Sequence, residues 1–213
     1  EYRHDTALRA VYPNKSGTRL CLLDESGRGW IYNPSASHIF QIEEFGGTDG
    51  RHSVTMVLWD DVDWGAFVVV EGETLATYVY SPVSINGPVC TKIGSIGIGA
   101  NGDMKITPNN TKLPHGCRPI SIFNGRITCQ RQNGQLDSVV LQTHTNVKIR
   151  HGMEKSRAYF ELCFNQRLAL MRLKDAWDVA VKLKERRFWL ALSGKALEQL
   201  DIAMALRVYR ALG

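Results

Sequence analysis

The chain has 213 residues, of which 44% are hydrophobic and 22% are charged, the usual range for a folded protein. No uncharged apolar run approaches the roughly 18 residues that a membrane-spanning helix needs, so we expect no transmembrane segment. The net charge of +5 is uneven, because residues 1–146 carry 12 Lys and Arg against 14 Asp and Glu, whereas residues 147–213 carry 14 against 7. This division predicts two regions with different physical character.

Short strand-like segments separated by turn residues fill the first two thirds of the chain. They recur about every ten to twelve residues, a spacing typical of a sandwich, barrel or propeller. One four-strand unit covers residues 8–42, a second covers 54–93, and a shorter third covers 119–142. The first two units start 46 positions apart, close to the period of a propeller blade, and Trp59-Asp60 matches the WD dipeptide. The Asn-Gly pairs at 124–125 and 133–134 predict hairpin turns in which both residues have positive φ.

The pattern changes to helical spacing after residue 155. Apolar residues three or four positions apart predict four helices, with Asp201 as the N-cap of the last. Segments 173–177 and 202–206 align at an offset of 29 residues, which suggests stacked helix pairs of a solenoid. We expect Trp177, Trp189 and Tyr209 to pack between these helices.

The predicted fold is therefore in two parts. Residues 1–150 are expected to be the last blades of a WD40-like β-propeller, and residues 151–213 the start of a TPR-like α-solenoid. Three blades are fewer than the roughly four to eight that close a propeller, and two helix pairs are fewer than the roughly three repeats that a stable solenoid needs. We therefore expect both domains to be incomplete and the chain to be a piece of a larger polypeptide.

Few residues indicate a catalytic or ligand-binding function. The five cysteines form no CxxC pair and are expected to be buried, reduced thiols, which favours a reducing, intracellular setting. The glycine-rich segment 94–102 lacks a following Gly-Lys-Ser/Thr and is expected to be a flexible surface loop. Asp60, Asp61 and Asp63 lack the spacing of a calcium loop and predict a solvated turn. His144 is expected to make a turn hydrogen bond. No catalytic, cofactor-binding or metal-binding residue is predicted.

A basic cluster lies between the second and third predicted helices. A solvated face that suits the negative C-terminal end of the second helix is the simplest interpretation. Binding of an acidic protein partner comes second, and nucleic acid a distant third, because no common nucleic-acid-binding motif is present. The candidate protein-binding residues are Lys182, Lys184, Arg186 and Arg187.

Several motifs occur in an order that resembles a known family. They include Thr-Arg-Leu-Cys-Leu-Leu-Asp at 18–24, Ile-Tyr-Asn-Pro at 31–34, Val-Leu-Trp-Asp at 57–60, Phe-Asn-Gly-Arg-Ile-Thr-Cys-Gln at 123–130 and Ala-Leu-Arg-Val-Tyr-Arg-Ala-Leu-Gly at 205–213. Together they are similar to the WD-repeat subunits of intraflagellar transport complex A, where the second propeller passes into the helical solenoid. Residues 94–110 look like an insertion relative to that family.

The resemblance implies a non-enzymatic scaffold without cofactors. The resemblance also implies a role in retrograde ciliary transport and in the entry of membrane proteins into the cilium. The implied partners are other complex A subunits and, indirectly, dynein-2 and membrane-protein cargo adaptors, without nucleic acid. The implied location is the cilium or flagellum and its base at the basal body, on the cytoplasmic side.

Three alternatives remain open from the sequence. A vesicle-coat subunit would have the same architecture and would differ in cargo and location. An enzyme built on a propeller would carry a polar pocket at the propeller's centre. A nucleic-acid-binding protein would lose affinity steeply with salt.

Overall fold

The structure is a computed structural model that describes residues 2–45, 54–98, 104–107, 111–145 and 156–213. The chain divides into two compact units. The first comprises residues 1–80, 90–92 and 109–142, and the second comprises residues 81–89, 93–108 and 143–213. The predicted boundary between residues 150 and 151 lies outside the described residues, so the limits 1–150 and 151–213 stay a prediction.

The first unit begins with a four-stranded antiparallel sheet. Its strands are β1 (Leu8–Pro13), β2 (Leu20–Asp24), β3 (Gly29–Asn33) and β4 (His38–Gln41), each paired with the next. Short turns join them because Gly17 and Gly27 adopt the positive φ that reverses the chain between strands. The first predicted four-strand unit is confirmed.

The second sheet is built around three consecutive antiparallel strands. These are β5 (Val54–Trp59), β6 (Ala66–Glu71) and β7 (Thr74–Ser81). Two further strands, β8 (Val89–Ile93) and β11 (Thr111–Lys112), both pair with β7. Between them in sequence, β9 (Ser95–Ile98) and β10 (Met104–Thr107) form a separate antiparallel hairpin.

The third sheet has three strands among the described residues. It comprises β12 (Cys117–Phe123), β13 (Arg126–Arg131) and β14 (Leu136–Val140), followed by a 3₁₀ turn at Gln142–His144. The third unit is predicted to end at residue 142, whereas its last strand ends at Val140. Asn124 and Gly125 both have positive φ, as predicted for a two-residue hairpin turn. At 133–134 the prediction is wrong for Asn133, because only Gly134 has positive φ there.

The second sheet is buried on both faces. Alternate residues of β6 point to opposite sides, so Phe67 and Val69 join one apolar cluster and Val68 and Val70 join another. The first cluster includes residues of the first sheet, and the second includes residues of the third sheet. Strand β5 contacts both β1 and β12. Sheets packed face to face in sequence order, with their first strands adjacent, are the arrangement of propeller blades.

Four helices make up most of the second unit. They are α1 (Arg157–Ala169), α2 (Leu173–Leu183), α3 (Arg186–Glu198) and α4 (Ile202–Leu212), which confirms the four predicted helices. Asp201 caps α4 as predicted, because its carboxylate accepts a hydrogen bond from the backbone N–H of Met204 at 2.9 Å. No helix in the described part of the chain is long and apolar enough to cross a membrane.

The helices share one apolar core. The Trp177 and Trp189 rings meet edge to face with centroids 4.7 Å apart, and Trp189 is buried. The prediction that these two tryptophans pack between helices is confirmed. It is wrong for Tyr209, which is 49% exposed because α4 turns that face to solvent.

The β9–β10 hairpin packs on the helices. The backbone N–H of Ile96 donates to Oε1 of Gln166 on α1 at 3.0 Å, and both residues are buried. The flexible loop predicted at 94–102 is therefore wrong for residues 95–98, which form a strand held by a helix. Residues 99–103 and 108–110 lie outside the described part of the chain.

Candidate protein-interaction surfaces

Asp60 does not lie in a solvated turn. Its side chain is 3% exposed and accepts four backbone hydrogen bonds. Two come from its own loop, from the N–H groups of Val62 at 2.8 Å and Asp63 at 3.3 Å. Two come from the β12–β13 turn, from Asn124 at 2.9 Å and Gly125 at 2.7 Å. The predicted solvated turn is wrong at this position, because these N–H groups replace water around the carboxylate.

Trp59, the neighbour of Asp60, forms its hydrogen bond with the first sheet instead of the third. Its indole N–H donates to the backbone oxygen of Tyr12 at the end of β1, at 2.9 Å. The Trp-Asp pair at the end of β5 therefore joins the first sheet through its tryptophan and the third through its aspartate. The sequence marked this dipeptide as a WD match, but it gave no sign of these partners, which lie 47 and 65 residues away.

A second buried carboxylate organises the first sheet. Asp24 accepts hydrogen bonds from the Arg28 backbone and guanidinium, the Trp30 indole and the Thr6 hydroxyl. Burial raises the pKa of Asp24, but these bonds and the Arg28 charge outweigh it and hold the pKa below its ordinary value. This carboxylate therefore stays ionised and structural.

A notch opens beside the loop that carries Asp60. It is about 250 Å³ in volume, between the β1–β2 turn and the β5–β6 loop. Trp64 forms one wall and is 70% exposed, the largest exposed fraction of any tryptophan in the described residues. Lys15 and Asp61 face each other across it at 3.6 Å. The residues lining the notch are Asn14, Lys15, Ser16, Asp60, Asp61 and Trp64.

The predicted basic cluster lies on the surface where α2 ends and α3 begins. Lys182, Lys184, Arg186 and Arg187 are all exposed. Lys182 lies in the last turn of α2, where a cation is favourable, and its ammonium lies 5.7 Å from the centre of the Phe160 ring. Lys184 ends α2 in a left-handed conformation at φ 56°.

Helix-end electrostatics do not explain the whole cluster. Arg186 and Arg187 lie in the first turn of α3, where the helix dipole disfavours a cation. Arg187 is stabilised instead by ion pairs with Glu161 and Glu185, and Arg157 pairs with the same two carboxylates at 3.0 and 2.7 Å. The interpretation that the cluster suits the end of the second helix therefore fits Lys182 and Lys184, whereas Arg186 and Arg187 lie in the first turn of the next helix.

Two cations of the cluster remain available for a partner. In the described part of the chain, neither Lys184 nor Arg186 has an ion-pair partner, whereas Arg187 belongs to the four-residue network. The surface that can meet an acidic protein therefore consists chiefly of Lys184 and Arg186, with Lys182 beside them.

An apolar stripe runs along the same helical unit. On α4, Ile202, Leu206 and Tyr209 are about half exposed and follow each other at spacings of four and three residues, so they share one face. Leu190 and Leu197 of α3 are exposed seven residues apart. A face of this kind is typical of a helix that packs on a neighbouring layer.

The cysteines, the candidate metal ligands and His144 lie in structural environments. The five cysteines are free, with Cys21, Cys129 and Cys163 buried and Cys90 and Cys117 partly buried. Burial raises the pKa of the Cys90 thiol to about 12. Among the described residues, no three side chains of His, Cys, Asp or Glu gather in a way that could hold a metal ion. His144 makes the predicted turn hydrogen bond, with Thr143 at 3.0 Å.

The blade-like sheets and the Trp-Asp pair that joins them define a WD-repeat β-propeller protein. Residues 1–144 match the family model described as the WDR19 second beta-propeller. The chain belongs to this family.

The whole chain also aligns with curated relatives. It is 30% identical to mouse WD repeat-containing protein 19 and 29% identical to the human protein of that name, over its full length. It is 23% identical to WD repeat-containing protein dyf-2 of Caenorhabditis elegans. The chain spans about 14% of the length of each of these relatives.

Proposed function

We propose that this chain is part of a non-enzymatic scaffold subunit of intraflagellar transport complex A. The observation that carries the proposal is the alignment of the whole chain, helices included, with WD repeat-containing protein 19. The family implies a ciliary location, at the basal body and along the cilium or flagellum on the cytoplasmic side. It also implies retrograde transport, with dynein-2 as an indirect partner, and entry of membrane proteins into the cilium through cargo adaptors.

We also propose that the helices begin a TPR-like solenoid. The exposed stripe of Ile202, Leu206 and Tyr209 supports this, because a further helix pair would cover it. Solenoids present extended surfaces built from stacked helix pairs, so a scaffold of this plan can contact several subunits at once. The domain limits 1–150 and 151–213 belong to this proposal.

The basic cluster is proposed to contact an acidic surface of another complex A subunit. Lys184 and Arg186 support this because they are exposed and lack an ion-pair partner among the described residues. A contact between exposed opposite charges accelerates association and weakens with salt. We therefore expect such a partner to associate more slowly and bind more weakly as ionic strength rises.

Live imaging tests the ciliary proposal. The full-length protein, tagged with a fluorescent protein, is followed in ciliated cells that lack the untagged copy. The proposal expects particles that move in both directions along the cilium, and an accumulation of other transport proteins at the tip when the chain is deleted. Fluorescence confined to vesicles, with normal cilia after deletion, would contradict it and favour the vesicle-coat alternative.

A further inference from the structure

The Trp64 notch has the composition of a protein-binding site. A tryptophan 70% exposed on a loop is unusual, and tryptophan and arginine contribute most often to binding hot spots. Val62 on the same loop is 47% exposed. Phe123, which directly precedes the Asn124-Gly125 turn, is 63% exposed. Because the N–H groups of Val62 and Asn124 bond to the same oxygen of Asp60, these apolar side chains belong to neighbouring backbone segments.

The loop that presents Trp64 is fixed in place before any partner arrives. The buried Asp60 carboxylate holds the N–H groups of Val62 and Asp63 on one side and the β12–β13 turn on the other. The Asp61 N–H also donates to the Ile122 backbone oxygen at 3.1 Å. A surface that is already ordered loses little conformational entropy on binding. The free energy of binding is therefore not reduced by the cost of ordering this loop.

The charges around Trp64 indicate whether the group that binds there is a cation or an anion. Among the described residues that line the notch, Asp60 and Asp61 are the carboxylates and Lys15 is the one cation. The Lys15–Asp61 pair is long, at 3.6 Å, and exposed, so it contributes little and can be exchanged. Two carboxylates beside the tryptophan disfavour the phosphates of nucleic acid or an anionic membrane. They favour a cation that can stack on an indole and pair with a carboxylate.

We propose that this notch binds an arginine-bearing segment of a partner protein. The guanidinium stacks on the Trp64 ring and replaces Lys15 as the partner of Asp61, because a planar guanidinium can do both at once. Apolar residues beside the arginine contact Val62 and Phe123. This surface goes beyond the proposed function, since it lies in the propeller unit and does not depend on which complex the chain joins.

Site-specific photo-cross-linking of the full-length protein in cells tests this. The probe is Ser16→p-benzoylphenylalanine, because Ser16 is exposed and lines the notch. Mass spectrometry identifies the adducts. The expected adduct is a segment of another protein that carries an arginine within a few residues of the linked position. The adduct yield is expected to fall by about thirtyfold with Trp64→Ala, the effect of losing a hot-spot residue.

Charge variants distinguish recognition of an arginine from non-specific hydrophobic contact with Trp64. Asp61→Asn is expected to lower the yield by about tenfold, because a charge-assisted bond is lost. Lys15→Gln leaves the yield unchanged or raises it, since it removes the internal competitor. Asp137→Asn is the matched control, as Asp137 is similarly exposed and also ion-paired, and it changes nothing.

Three results would overturn the proposal. One is an adduct that consists of lipid, nucleic acid, a second copy of this chain or a segment without arginine. Another is an equal yield for Asp61→Asn and Asp137→Asn. The last is the lack of any adduct above the Trp64→Ala background. Each can occur while the ciliary proposal holds, because particle movement in cilia is measured separately.

Discussion

Oδ2 of Asp60 lies 2.7 Å from the backbone nitrogen of Gly125, although 65 residues separate the two in sequence. The bond joins the loop after β5 to the turn between β12 and β13. It places a charged acceptor in a buried site where two adjacent N–H groups need partners. This contact explains why the third sheet keeps its position against the second.

Replacing Asp60 is expected to loosen that junction. Asp60→Ala leaves four N–H groups without their acceptor and should destabilise the propeller unit by about 3 kcal/mol, the upper range for buried donors left unpaired. Hydrogen–deuterium exchange of the peptide that covers residues 123–126 should become much faster. The control is Asp61→Ala, because among the described residues the Asp61 side chain pairs only with the exposed Lys15. Equal exchange in the two variants would contradict the role of Asp60.

Asp24 makes the first sheet sensitive to acid. Its pKa is lowered in the folded state, so its stabilising effect is complete above the ordinary carboxyl pKa of about 3.9 and is lost as the pH falls through the folded-state value. Asp24→Asn should therefore lower the free energy of unfolding by about 1–3 kcal/mol at pH 6, with a smaller difference below about pH 4. Urea denaturation at several pH values measures this.

Glu25→Gln is the matched control for Asp24→Asn, because Glu25 is the adjacent, exposed carboxylate. It should change stability little at any pH. A pH-independent difference between wild type and Asp24→Asn would show that the charge of Asp24 does not contribute.

Gln166 is expected to hold the β9–β10 hairpin on α1. In Gln166→Leu, the buried N–H of Ile96 loses its acceptor, and hydrogen exchange at Ile96 should become faster by about tenfold or more. Exchange of Ile127 in the propeller unit serves as the internal reference and should not change. If Ile96 exchanged at the same rate in both proteins, the hairpin would be held by other contacts.

A substitution at Lys184 is expected to have opposite effects on the stability of the fold and on partner binding. Its left-handed conformation favours glycine, so Lys184→Gly should raise the free energy of unfolding by about 0.5–1 kcal/mol. The same change removes a cation from the proposed acidic-partner surface and should weaken partner binding. Leu200→Gly is the control, because Leu200 has φ 55° and carries no charge. Comparable binding losses in both variants would rule out a charge-specific role for Lys184.

Periodicity made the strands and helices predictable, but it could not show contacts between distant residues. Strand alternation identified β5 and β6, and three-to-four spacing identified all four helices. Asp60 appeared to be one of three acids in a turn, because two of the N–H groups that it binds, those of Asn124 and Gly125, lie in the third sheet, far away in sequence. The glycine-rich start of β9 resembled a loop, because the acceptor that fixes it is Gln166, 70 residues away. Tyr209 fitted the helical pattern, which does not show whether a neighbouring helix covers it.

Affinity purification of the full-length protein from ciliated cells, followed by quantitative mass spectrometry, tests the scaffold proposal most directly. We expect other intraflagellar transport complex A subunits to be recovered in nearly equal amounts with the tagged protein. We also expect Lys184→Gly combined with Arg186→Ala to reduce recovery of at least one acidic subunit at raised salt. Recovery of vesicle-coat subunits without any intraflagellar transport subunit would contradict it.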